Sequence, residues 1–96
     1  MNRSEFRRLV GRRPLLLDGA TGTGLFKRGL PPGSAPEKWV IQNPGVIQDL
    51  QRAYFDAGSD IVLACAFGAN RIKLADHGLE RDVRDMNIRL VAISRE

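Results

Sequence analysis

The chain has 96 residues, 43% of them apolar and 27% charged, a balance that suits one soluble globular domain and excludes a disordered segment. Its formal net charge of +4 is concentrated at the start, where Arg3, Arg7, Arg8, Arg12 and Arg13 supply five of the 15 basic residues, so the body is close to neutral. A single cysteine, Cys65, excludes an internal disulfide and a multi-cysteine metal site built from this chain alone.

No apolar run approaches the ~20 residues of a membrane-crossing helix, so a membrane is not an expected partner. The arginine-rich start lacks the apolar stretch of a secretory signal, which makes a cytoplasmic location the expectation. Those arginines are not interleaved with aromatic residues that stack on bases, which disfavours nucleic acid as a partner. The simpler expectation is a solvated amphipathic helix capped by Ser4, running to about Val10 and ended by Gly11, with Phe6, Leu9 and Val10 on its inner side.

After a turn at Pro14, residues 15–18 form an apolar run without polar alternation, the pattern of a parallel strand buried on both faces. It ends in Asp18 and a glycine-rich turn, Gly19, Gly22 and Gly24. A carboxylate at the tip of a buried strand is expensive unless it is paired or faces a cleft, so Asp18 is a candidate binding residue. The glycine order is reversed relative to a dinucleotide loop, and no Lys-Ser or Lys-Thr pair follows. These glycines either make only a tight strand-to-helix turn or shape a ligand site.

Residues 21–28 can make one or two helical turns, and residues 29–34, with Gly29, Pro31, Pro32 and Gly33, are loop. Glu37 and Trp39 then either lie over a pocket or anchor the loop by packing. Asn43 and Pro44 predict a helix start, and Val46, Ile47, Leu50, Tyr54 and Ala57 recur at helical spacing before Gly58. Residues 60–66 read as a second buried parallel strand in which Cys65 is a small apolar residue. Phe67, Gly68, Ala69 and Asn70 follow it, with Asn70 either capping a short helix over residues 70–75 or binding a ligand. His77 is a surface residue beside the Gly78 turn. A last helix carries Val83, Met86, Asn87, Leu90, Val91 and Ser94, and the absence of a stop signal after it predicts a chain cut within or just after an element.

Strand, helix, strand, helix specifies parallel βα units, which place Asp18 and the Phe67–Gly68 tip at the same end of the sheet. Asp18, Gly19, Ala20, Thr21, Gly22 and Thr23, then Pro36, Glu37 and Trp39, then residues 57–61, then residues 67–71 occur in an order and spacing that resembles the homocysteine S-methyltransferase family. The resemblance implies a (β/α)8 barrel of which residues 1–96 are a partial, N-terminal portion of about two βα units. It also implies transfer of a methyl group to the thiol of homocysteine, giving methionine, with S-methylmethionine, betaine or a methylated folate as donor. Homocysteine and a methyl donor are then the expected partners, and zinc is the expected cofactor.

The family's zinc ligands are cysteines of later strands and loops, so the resemblance assigns no metal ligand and no catalytic residue to this chain. It assigns Asp18, Gly19, Phe67 and Gly68 to the substrate pocket, with the Asp18 carboxylate placed to pair with the amino group of homocysteine. Family members usually carry a Thr-Asn-Thr type run where this chain has Ala64, Cys65 and Ala66, so polar contacts are expected to be missing there. A portion with two open sheet edges is expected to be inactive alone. A separate reading makes the chain a small non-catalytic βα module that binds an acidic or phosphorylated ligand through residues 19–24.

Overall fold

The computed structural model describes residues 1–95, and its helices begin where the chain offers a side-chain acceptor or a proline. Helix α1 (Arg3–Arg12) is capped by Asn2, not by Ser4. Asn2 Oδ1 accepts from the Glu5 N–H at 2.8 Å while Glu5 Oε2 accepts from the Asn2 N–H at 3.1 Å. Ser4 has a basic residue, Arg7, three positions on and has no such reciprocal acceptor. None of the α1 residues is buried, and of the expected inward face of Phe6, Leu9 and Val10 only Leu9 is partly covered.

The short helix α2 (Gly22–Lys27) matches the predicted turns, and Gly29 and Gly33, both at positive φ, carry the following loop. Helix α3 (Pro36–Gln42) has no counterpart in the sequence reading, which gave residues 36–42 no element. Its Pro36 opens it with a pre-set φ, and Glu37 favours the helix N-terminus electrostatically. Helix α4 (Pro44–Asp56) starts at the predicted proline, but the Asn43 side chain does not cap it. Asn43 Nδ2 instead donates to the Trp39 carbonyl at 2.9 Å, closing the last turn of α3, where carbonyls lack helical partners. Gly58, at φ +114°, then turns the chain in a conformation other residues avoid.

Asn70 does cap α5 (Arg71–Ala75), its Oδ1 accepting from the Lys73 N–H at 2.9 Å. A single 3-10 turn (Glu80–Asp82) leads into α6 (Val83–Arg95). The helices pack α3 on α4 and α6, α4 on α6 and α2 on α4. Leu25, Val40, Ile47, Leu50 and Leu90 form the core between them, joined by Leu30 and Ala69. Trp39 packs at the edge of this cluster as an anchor. The buried Gln51 amide is satisfied within it, donating to the Leu63 carbonyl at 3.1 Å and to Ser94 Oγ at 2.9 Å.

The two predicted strands are present as extended segments that meet at one parallel bridge, Leu17 to Ile61. The parallel direction matches the expectation, whereas two buried strands and an α/β fold are not what the described residues display. Leu16, Leu17 and Leu63 are 58%, 56% and 60% exposed. The physical reason is coverage: each segment has one neighbour, and a parallel pair is stable only with both faces packed and further strands at its edges. The entry to the pair is tied more firmly than its middle. Leu16 O accepts from Asp60 N at 2.8 Å and from Ile61 N at 3.1 Å, and Ser59 Oγ donates to Leu17 O at 3.2 Å. Arg13 grips both oxygens of Asp60 at 2.9 and 2.7 Å, and Asp60 also accepts from the Leu16 N–H at 3.0 Å. These hydrogen bonds from Arg13, then from Leu16, hold the Asp60 carboxyl down to about 2.

Candidate functional site

Beyond the bridge the chain presents its two tips. Asp18, half-buried, closes the first segment, and its Oδ2 accepts from the Leu63 N–H at 3.2 Å. Its second oxygen makes no hydrogen bond among the described residues and is available to a cationic ligand group. Gly19 lies against Tyr54: a Cβ there would sit 3.0 Å from the Tyr54 hydroxyl, which donates to the Ala20 carbonyl at 2.8 Å. Gly24 is pressed in the same way, its missing Cβ lying 3.0 Å from both Leu50 methyl carbons. Two of the three turn glycines are therefore explained by packing on α4, and a phosphate cradle is not needed to account for them.

The second tip is more tightly bound. Phe67 is 97% exposed, and the backbone around it is held from three sides. Gly68 N–H donates to Glu37 Oε1 at 2.9 Å, Asn70 Nδ2 to the Phe67 carbonyl at 3.3 Å, and Asn87 Nδ2 to the Ala69 carbonyl at 2.8 Å. A cleft of about 300 Å³ opens beside Glu37, Phe67, Gly68, Lys73, Asp76 and His77. The structure thus brings Phe67 and Gly68 together with Glu37, while Asp18 and Gly19 form a separate pair on the preceding connection and do not line this cleft. His77 is exposed, as expected, yet borders the cleft.

Glu37 and Asn87 are the residues that sequence reasoning undervalued. Glu37 carried a signal, an acid one position after a helix-opening proline. Asn87, in the middle of a helix, carried none. Glu37 is 7% exposed, and a carboxylate that deep requires a donor, which Gly68 supplies.

Cys65 is half-buried against the core. Burial first, and the Glu37 carboxylate second, push its thiol up to about 11. It is therefore a protonated thiol at neutral pH and a weak nucleophile. No three His, Cys, Asp or Glu side chains are grouped to hold a metal ion among the described residues. Nor is any helix among them long and apolar enough to cross a membrane.

A family model described as homocysteine S-methyltransferase matches residues 15–96, a span that contains both tips, and the chain belongs to this family. Two similar proteins are methionine synthases. That of Mycobacterium leprae (strain TN) is 32% identical over 94 residues, 90% of this chain and 8% of the relative. That of Mycobacterium tuberculosis (strain ATCC 25618 / H37Rv) is 32% identical over 95 residues, 91% of this chain and again 8% of the relative. The chain thus spans about 8% of the length of these relatives.

Proposed function

We propose that the chain supplies part of a homocysteine pocket and serves methyl transfer to the homocysteine thiol, giving methionine. The observation that carries this reading is the family match over residues 15–96, which takes in Asp18 together with Phe67 and Gly68. In this reading residues 1–96 are the first two βα units of a (β/α)8 barrel in a cytoplasmic enzyme, and neighbouring strands cover Leu16, Leu17 and Leu63. The Asp18 carboxylate receives the substrate ammonium, and Gly19, Phe67 and Gly68 line the pocket.

Methyl transfer forms a sulfur–carbon bond, breaks the donor's bond to the methyl group and releases the thiol proton. A thiolate is the competent nucleophile, whereas a free thiol titrates near ~8.5. The described residues bind and orient the substrate. They do not fit the zinc ion the family implies, since no three ligating side chains are grouped among them. Thiol activation is accordingly assigned to other parts of the family's barrel, as is the choice of methyl donor.

The test is a calorimetric titration of homocysteine into the chain and into its Asp18→Asn variant. The amide keeps an acceptor for the Leu63 N–H, so folding is spared, while the charge that holds the ammonium is lost. Affinity is expected to fall about tenfold or more, the effect of losing a hydrogen bond to a charged group. Unchanged affinity would refute the assignment of Asp18.

A further inference from the structure

We infer that Glu37 is a positioning residue for the homocysteine site: its buried carboxylate holds the Gly68 N–H and thereby fixes the tip that carries Phe67. This rests on the proposed pocket, in which Phe67 and Gly68 are lining residues. The Phe67 side chain is almost wholly exposed and contributes no packing of its own, while Ala66 and Ala69 on either side pack at the core. Between those two anchors, Phe67 and Gly68 are positioned through their backbone. Of the three groups that hold that backbone, Glu37 alone comes from outside it as a charged acceptor, and it reaches the peptide N–H immediately after Phe67.

The geometry leaves little slack. Pro36 fixes the start of α3, so the Glu37 side chain leaves a helix turn that cannot unwind freely. A Cβ on Gly68 would lie 2.7 Å from Glu37 Oε1 and 3.1 Å from Oε2, so the carboxylate occupies the space that any other residue's side chain would take. Glycine at 68 and glutamate at 37 are thus a matched pair, one supplying the room and the other the acceptor. Both face the same cleft as Phe67. Asp18 contacts a different part of the segment, the Leu63 N–H, so the two carboxylates hold two separate points of one chain stretch.

Two variants separate positioning from charge. Glu37→Gln keeps a side-chain oxygen that can accept from Gly68, and Glu37→Met fills a similar volume with no comparable acceptor. With Glu37→Met, exchange of the Gly68 amide measured by NMR is expected to accelerate about tenfold or more, and homocysteine affinity to fall by a similar factor. Glu37→Gln is expected to stay within about threefold of the parent in both. The Cys65 thiol should titrate below about 11 in both variants, since each removes the nearby negative charge. A parent-like Gly68 amide in the Met variant would overturn the inference, as would a Gln variant as weak in homocysteine binding as the Met variant. If the unaltered chain binds no homocysteine, the pocket reading fails by that result, and the Gly68 amide in the two variants still decides whether Glu37 fixes the tip.

Discussion

Replacing Gly68 by alanine isolates the fit between the second tip and α3. The backbone at 68 does not lie at positive φ, so the added methyl group causes no dihedral strain. Its cost is the 2.7 Å approach to Glu37 Oε1. That oxygen can retreat only by giving up the 2.9 Å bond from the Gly68 N–H, and the carboxylate is 7% exposed with little water to replace the lost donor. Breaking a hydrogen bond to a charged group costs about 1.5–3 kcal/mol. Against this, alanine reduces the freedom of the unfolded chain, a gain of about 0.4–1 kcal/mol. The net expectation is a loss of about 0.5–2.6 kcal/mol, with about 4–8 °C in Tm for each kcal/mol in a domain of this size. Urea unfolding followed by far-UV circular dichroism measures it. Gly45→Ala, in α4 with nothing within 4 Å of the added carbon, is the control and should be neutral or stabilising. A Gly68→Ala variant as stable as the parent would show that Glu37 has room to move and would refute the reasoning.

Three further outcomes follow from the same structure. Leu90→Ala removes a fully buried side chain between α3 and α4 and should cost about 2–5 kcal/mol by denaturant unfolding, while Ile72→Ala, on an exposed face, should stay within about 0.5 kcal/mol. Because the folded Asp60 carboxyl lies at about 2, below its unfolded value of about 3.9, its contribution is complete above pH ~4 and fades as the pH falls toward 2. The urea midpoint should drop across that window, and less steeply in Asp60→Asn; identical acid profiles would remove the Arg13–Asp60 clamp from the account. The Cys65 thiol, at about 11 when folded against ~8.5 unfolded, stabilises the fold below pH ~8.5 and loses that contribution as the pH rises toward 11. Its alkylation at pH 8 should accordingly be much slower in the folded chain than in urea.

Signals confined to a few neighbouring residues were legible in the sequence. Asn70 capping α5, Pro44 opening α4 and Gly58 ending it each depend on chemistry within one helical turn. Asn43 shows where this stops: its position is that of an N-cap, but the carbonyl of Trp39 on the preceding helix competes for its side chain and wins. Helix α3 escaped because residues 36–42 are too few for a periodic pattern to stand out. At the candidate site, the positions of Asp18, Phe67 and Gly68 at the ends of the two extended segments follow from the apolar runs before them. The Glu37–Gly68 bond was not, because the two residues are 31 positions apart and no local pattern encodes which backbone N–H a buried acid will meet. Strand burial was overestimated for a related reason, since an apolar run reports what a segment can bury and not whether a neighbour is there to bury it.

The clamp at the entry of the paired segments has a consequence for how the two tips are aligned. Leu16 O takes two N–H groups, Ser59 reaches Leu17 O, and the Asp60 carboxylate is shared between Leu16 and Arg13. The side-chain partners Arg13, Ser59 and Asp60 are specific to their positions, so a slip by one residue, about 3.3 Å along the chain, would break their bonds and would turn every side chain to the opposite face. Register is therefore written before the segments reach their tips. The placement of Asp18 relative to Phe67 is inherited from Arg13 and Asp60, residues at the far end of the paired segments.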